Sequence, residues 1–321
     1  MDKLFYELMQ VAIGQQNCLS RGPEPEEWLV LYQKALKQHV VGICYRGVEK
    51  LFEFGLRAPQ EVSLDWMAGA EDIRSANVLT DKRAAVLQQK LTERKIYNTL
   101  LLGQGVAHYY GAELKDLRQP SGIDVYVDCG HQKAVKFVQQ TGRQDIRQNH
   151  HQVWIDAWED TPASLLTQVV HTKSLWKNEV AQRWFRQNRE QLYREERGFV
   201  LPTSSMHVVV VLLSLYEQTL YGHVDMRQLM DCFFILKKVQ GRPVTFKGEQ
   251  SVEGAVKSLG ISRFARGVMW VMQEVFAVDA AQLPLKPLEK EGRLLLQQVM
   301  DGRRVWPLVK CYPIQMMWNL L

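Results

Sequence analysis

Two stretches, Leu100-Leu101-Leu102-Gly103-Gln104-Gly105 and Ile123-Asp124-Val125-Tyr126-Val127, decide how this chain folds. The first is an apolar run broken by two glycines and continued by residues 106–110 at helical spacing, a pattern of strand, turn and helix start. The second alternates apolar and polar residues and predicts another strand, with a helix over 131–140 behind it. Residues 151–158 alternate like a further strand, and Asp160-Thr161-Pro162 reads as a hairpin turn leading into 163–170. These segments predict a small mixed sheet flanked by helices.

Outward from that sheet the pattern is helical on both sides. Before it, Leu4, Phe5, Leu8, Val11 and Ala12 recur at helical spacing, as do Trp28, Leu29, Tyr32 and Leu36, with the loop Arg21-Gly-Pro-Glu-Pro between them. A polar helix is predicted over 81–94. After the sheet, helices are predicted over 182–196, 204–220, 226–238, 262–276 and 288–299, each with an apolar stripe, and Ser204 reads as an N-cap. The fold class is therefore α+β, divided into a helical region at 1–95, an α/β core at 96–174 and a second helical region at 175–321.

Composition excludes several classes. A chain of 321 residues with 46% hydrophobic content buries a sizeable core, so disorder is not expected. Forty Lys and Arg against thirty-five Asp and Glu leave a charge of +5, interleaved along the chain. That balance permits an anionic ligand, but without a basic aromatic patch it disfavours nucleic acid as a partner. The N-terminal residues lack a signal-peptide pattern and the apolar run at 208–215 is too short to span a bilayer, so no membrane association and a cytoplasmic location are expected. Cys18, Cys44, Cys129, Cys232 and Cys311 show no CxxC spacing and are expected to be buried free thiols. Trp154, Trp158, Trp176 and Trp184 fall in apolar patterns and are assigned to packing.

The motifs go further. The run Leu102-Gly-Gln-Gly, Tyr109-Tyr110, Arg118-Gln-Pro-Ser-Gly122-Ile-Asp124-Val-Tyr-Val resembles the "LLKGxxxA…YY…R…GDIDlyV" signature of the uncharacterised bacterial nucleotidyltransferases, within the polymerase-beta-like superfamily. His150-His151-Gln-Val-Trp with Asp160-Thr-Pro is similar to that family's "HHxxx…dTPvElH" hairpin, and Arg227-Gln-Leu-Met-Asp231 to its "GlRQlxD" helix. Gly292-Arg-Leu-Leu-Leu extends the likeness.

The resemblance implies a glycine turn that holds phosphates at Gly103, Gln104 and Gly105 and three carboxylates that hold magnesium. Backbone geometry alone also accounts for glycines at such a turn. Position by position, Gly122 stands where the family has the first Asp of its DxD, Asp124 keeps the second, and Ser164 and Leu166 replace the Glu and His of the later strand. Leu102 replaces a Lys and Gln218 a His. Asp128 lies four residues from Asp124, about 13 Å along a strand, too far to share a metal pair whose ions stand about 4 Å apart.

Asp156, Arg118, Arg227 and Asp231 remain further candidates. Asp156 either approaches the site from a neighbouring strand or is a solvated strand-edge acid. Arg227 and Asp231 either pair with each other at i, i+4 or contact a phosphate or base. His150 and His151, as neighbours in a strand, would point to opposite faces and share no metal easily.

The expectation is a nucleotidyltransferase-fold protein that is catalytically degenerate and acts as a binding or regulatory module. The alternative is an active, divergent, metal-dependent nucleotidyltransferase moving an NMP group from an NTP to a protein, sugar or small-molecule hydroxyl. No cofactor is expected to bind tightly, with Asp124 at most a weak metal ligand and magnesium the cofactor of the active alternative. A nucleotide or an unknown protein is the expected partner.

Overall fold

The computed structural model describes residues 1–140, 145–196, 198–222, 224–240, 246–247 and 251–302. Four helices come first: α1 (Asp2–Ala12), α2 (Pro25–Lys37), α3 (Val41–Glu53) and α4 (Gln60–Glu93). Then follow β1 (Asn98–Leu100), α5 (Gln104–Ala107), α6 (Ala112–Lys115), β2 (Ile123–Val127), α7 (His131–Gln139), β3 (Gln152–Ile155) and β4 (Ala163–Leu166). The remainder is α8 (Leu175–Gln187), β5 (Arg194–Glu196), β6 (Phe199–Leu201), α9 (Ser204–Tyr221), α10 (Met226–Val239), α11 (Val252–Ser258), α12 (Ser262–Phe276) and α13 (Glu289–Asp301). The fold is α+β, with helical segments before and after the sheet.

The main sheet has the order β1-β2-β4-β3, with β2 and β4 parallel and the outer pairs antiparallel. Its register sets Asp124 opposite Ser164, and Ser164 in turn opposite Trp154. Paired residues share a face, so these three form one row across the sheet. On the other face Ile123, Val125 and Val127 are buried against Ala84, Leu87 and Leu91 of α4 and Ala134, Phe137 and Val138 of α7.

The larger core joins the helices that precede the sheet to those that follow it. Leu4, Phe5, Leu8, Ile43 and Trp28 share it with residues of α9, α10, α12 and α13. Two buried glutamines stitch the halves: Gln10 donates to the Val275 carbonyl at 2.9 Å, and Gln38 donates to the Val299 carbonyl at 2.9 Å. Gln38 also accepts from the backbone N–H of Met226 at 2.9 Å.

Several sequence expectations are corrected here. The polar helix predicted over 81–94 is the second half of α4, whose buried positions Trp66, Ala70, Ile73, Asn77, Thr80, Ala84, Leu87 and Leu91 alternate three and four apart. That spacing is a heptad seam, and Ala, Asn and Thr within it mute the apolar signal. The helix predicted over 182–196 ends at Gln187, and Arg194–Glu196 instead pairs with Phe199–Leu201 as a hairpin. The N-cap of α9 is Thr203, whose hydroxyl accepts from Met206 N at 3.3 Å, not Ser204. In α2 the buried residues are Trp28, Leu31 and Ala35, while Leu29 and Leu36 are exposed.

Trp176 is 82% exposed, so it is not a packing residue within the chain. Cys18 is exposed, Cys129 half-buried and Cys44 and Cys232 buried; Cys311 lies outside the described residues. His150 and His151 precede β3 and do not lie in it. Among the described residues no helix is long and apolar enough to cross a membrane.

Candidate functional site

Strand β1 runs antiparallel to β2, and the ladder continues one residue past it, with Leu101 N donating to the Asp124 carbonyl at 3.3 Å. Leu102 and Gly103 are thereby delivered beside the start of β2. Gly103 has φ 59° and ψ −117°, and a Cβ there would lie 2.6 Å from the Gly122 carbonyl oxygen. Gly122 has φ +96°, and its Cβ would lie 2.6 Å from the Pro162 carbonyl oxygen. Only glycine fits a positive φ with backbone this close, so the two glycines allow three backbone segments to meet.

Helices α9 and α10 supply the opposite wall. Val211, Ser214, Leu215 and Gln218 project from one stripe of α9, and Arg227, Gln228 and Asp231 from the first turns of α10. The N-terminus of α10 is fixed by a capping box in which Asp225 accepts from Gln228 N at 3.0 Å and the Gln228 side chain accepts from Asp225 N at 3.0 Å. Between helices and sheet lies a cavity of about 200 Å³, lined also by Leu102, Gly103, Arg118, Ser121 and Asp124.

The cavity gathers Leu102, Gly103, Arg118, Asp124, Gln218, Arg227 and Asp231 from the residues singled out in the sequence. Gln104 and Gly105 do not line it. The Gln104 side chain is buried toward α4, donating to Asp81 at 2.9 Å and Asn77 at 3.3 Å. Gly105 packs on the Leu100 carbonyl, and its N–H is bonded to the Leu102 carbonyl at 3.1 Å. Asp156 lies just beyond β3, half-exposed, and is paired with Arg147 at 3.4 Å. Asp128 is paired with Arg189 at 2.5 Å. Ser121 and Gln228 stand inside the quoted motifs but were not singled out within them, and Ser214, a small polar residue on an otherwise apolar helix, carries no signal of its own.

Each charged group in the cavity has a distinct environment. Asp124 accepts from the Ser164 hydroxyl at 2.6 Å. Burial raises its pKa above the usual carboxylate value, against the opposing effect of that hydrogen bond. Asp231 does not pair with Arg227, as i, i+4 spacing allowed. It is held by Arg118, with Nε donating to Oδ1 and an amino group to Oδ2, both at 2.7 Å, and the Tyr110 hydroxyl also donates to Oδ1 at 2.7 Å. Arg118 is 1% exposed. Arg227 pairs with Asp225 at 3.2 Å, and its buried Nε has no hydrogen-bond partner among the described residues.

Behind the cavity, His207 of α9 holds the exit of β1: Nε2 meets the Leu101 carbonyl and Nδ1 meets the Tyr109 hydroxyl at 3.0 Å. The neutral ring satisfies both partners, donating through Nε2 and accepting at Nδ1. Burial, opposed by the bond to Leu101, pushes its pKa down from 6.5 to about 4. The unfolded chain therefore binds a proton that the folded chain refuses between those values, and stability falls as pH falls from about 6.5 to about 4. This one group is expected to cost about 2 kcal/mol between pH 7.5 and pH 5. Urea unfolding at both values should show that loss in the wild type and a smaller one in His207→Gln; equal losses in the two proteins would contradict the assignment.

The sequence profile of a family described as uncharacterised nucleotidyltransferases matches residues 24–277, which spans the sheet, both walls of the cavity and α12. The chain belongs to that family. No curated protein and no solved structure matches it. The family match stops short of Gly292-Arg-Leu-Leu-Leu, which lies on α13.

A nucleotidyltransferase that is active in the usual way needs convergent carboxylates for magnesium, and two carboxylates line this cavity, one of them already paired. Of the two carboxylates lining the cavity, Asp124 is engaged by Ser164 and Asp231 is chelated by Arg118. Magnesium demands several oxygen ligands in near-octahedral geometry, and a carboxylate already bound to a guanidinium does not supply them.

Proposed function

We propose that this nucleotidyltransferase-family protein is catalytically degenerate and uses its cavity as a binding or regulatory module for an anionic ligand, a nucleotide phosphate above all. The observation that carries this reading is that, of the two carboxylates lining the cavity, Asp231 is taken up by Arg118 and Asp124 alone is free of a guanidinium, while Arg227 lines the same cavity. A cavity of about 200 Å³ admits a phosphoryl group and part of a nucleoside. Binding of an unknown protein at the same face is compatible with this role.

The rival reading, an active divergent nucleotidyltransferase using magnesium, draws its support from Asp124 standing at a family ligand position and lining the cavity. Calorimetry with ATP, GTP, CTP and UTP separates the two. The degenerate reading expects binding that does not depend on magnesium and weakens in Arg227→Ala. A sub-micromolar, magnesium-dependent affinity abolished by Asp124→Ala would replace it with the active-enzyme reading.

A further inference from the structure

A second cluster of chemistry lies away from the cavity, where the loop before β3 meets the segment after β4. Asn149 Oδ1 accepts from the backbone N–H groups of His151 at 3.0 Å and Gln152 at 2.9 Å, folding the chain into a tight corner that carries His150 and His151. The His151 carbonyl accepts from Thr167 N at 2.8 Å, and this bond brings in the following segment with His171. The three imidazoles meet. His150 Nε2 stands 3.3 Å from His171 Nε2 and 3.3 Å from His151 Nδ1, and one nitrogen from each ring lies within 4.8 Å of the others.

We propose that His150, His151 and His171 bind a single divalent transition-metal ion, with zinc the best match. Two nitrogens on a tetrahedral zinc, each at about 2.0–2.1 Å, stand about 3.3–3.4 Å apart. Both short separations have that value, and the His151 and His171 rings, stacked with centroids 3.9 Å apart, would turn on their side-chain torsions to bring the third pair to it. Three imidazoles suit zinc, and also nickel or copper, over magnesium, so this site is chemically separate from the one Asp124 represents. His150 is exposed while the other two are half-buried, which leaves the fourth position open to water.

The proton arrangement around His171 suits a ligand. The Thr172 N–H can only donate, and it does so to Asn178 Oδ1 at 3.1 Å, which fixes that amide. Asn178 Nδ2 then donates to Gln168 Oε1 at 3.2 Å, and the same oxygen accepts from His171 Nδ1 at 2.8 Å. Nδ1 therefore carries the hydrogen, and Nε2 presents its lone pair to the cluster. Without a cation the rings cannot satisfy one another, because a single hydrogen on His150 Nε2 serves only one of its two neighbours. Burial, and next the neighbouring imidazoles, hold His151 and His171 neutral, with pKa values pushed down to about 4.

The test uses the full chain free of any purification tag, stripped with chelator, and titrated with zinc chloride by calorimetry at pH 7.5. One zinc per chain at micromolar affinity or tighter is expected. His150→Ala and His171→Ala should remove it, and Gln168→Ala should weaken it about 10–100-fold by freeing the His171 ring. His39→Ala, whose ring pairs with Asp225 instead, should leave it unchanged. Cobalt should give the strong visible bands of a tetrahedral site. X-ray absorption on the zinc-loaded wild type should show three nitrogen neighbours at about 2.0 Å, a readout that does not depend on any variant folding. Absence of one-to-one binding, an octahedral all-oxygen shell, or affinity unchanged in both alanine variants would overturn the assignment.

Discussion

Asp231→Ala is expected to destabilise the protein by about 3–5 kcal/mol, because it leaves the Arg118 guanidinium charged and buried without its partner. Arg118 cannot escape by losing its proton. Burial works against its charge, yet Asp231 beside it still holds its pKa above the ordinary arginine value. The Tyr110 hydroxyl loses its acceptor in the same variant. Replacing both charges at once, as Arg118→Met with Asp231→Leu, removes the desolvation penalty together with the attraction and should cost far less than either single change. Urea unfolding of wild type, Arg118→Met, Asp231→Leu and the double variant in a cycle measures the coupling. A single Asp231→Ala variant within about 1 kcal/mol of wild type would mean that water reaches Arg118 and that the pair is not a structural element of the cavity.

The second large effect concerns Gly122, the position that the resemblance aligns with a family acid. Gly122→Asp, alone or with Ser164→Glu, is expected to destabilise the fold without creating magnesium affinity. Any side chain at Gly122 meets the positive φ of +96° and places its Cβ 2.6 Å from the Pro162 carbonyl oxygen. Strained backbone costs about 1–3 kcal/mol and forced packing about as much again, so Gly122→Ala should lose about 2–6 kcal/mol. Gly130 provides the comparison: its φ is +76° but a Cβ there meets nothing within 4 Å, so Gly130→Ala should lose only the backbone share. Thermal and urea unfolding of both alanine variants decide the matter. Equal losses would remove the clash with Pro162, and a melting temperature of the acidic double variant that rises with magnesium would show that the position accepts a ligand after all.

The same glycine illustrates what the sequence could and could not disclose. That Asp124 lies on a strand between Ile123 and Val127 was legible from period-two alternation, whereas the register that sets it opposite Ser164 was not. That Gly122 has closed its position to any side chain was not, because φ and the approach of Pro162 exist only in three dimensions. Motifs singled out Arg118, Arg227 and Asp231 as separate candidates, but neither their gathering with Gln218 around one cavity nor their pairing was legible. Spacing of i, i+4 suggested Arg227 with Asp231, whereas the nearer partner comes from a loop 113 residues away. Helix α4 was seen only in part because its seam uses Asn77, Thr80 and Ala84 where apolar bulk would have announced it. The three histidines escaped because a strand reading sends His150 and His151 to opposite faces, whereas β3 begins one residue later than expected and the corner at Asn149 brings them together.

The buried bonds from Gln10 to Val275 and from Gln38 to Val299 have a consequence for how the protein is made. The first helix waits for a partner 265 residues further along the chain. At about 5–20 residues per second, translation takes roughly 13–50 s to deliver that partner. Throughout that interval Leu4, Phe5 and Leu8 can pack on α3 but remain uncovered by α12 on a nascent chain still attached to the ribosome, and a chain cut short within the last helices keeps that face of its first helix open.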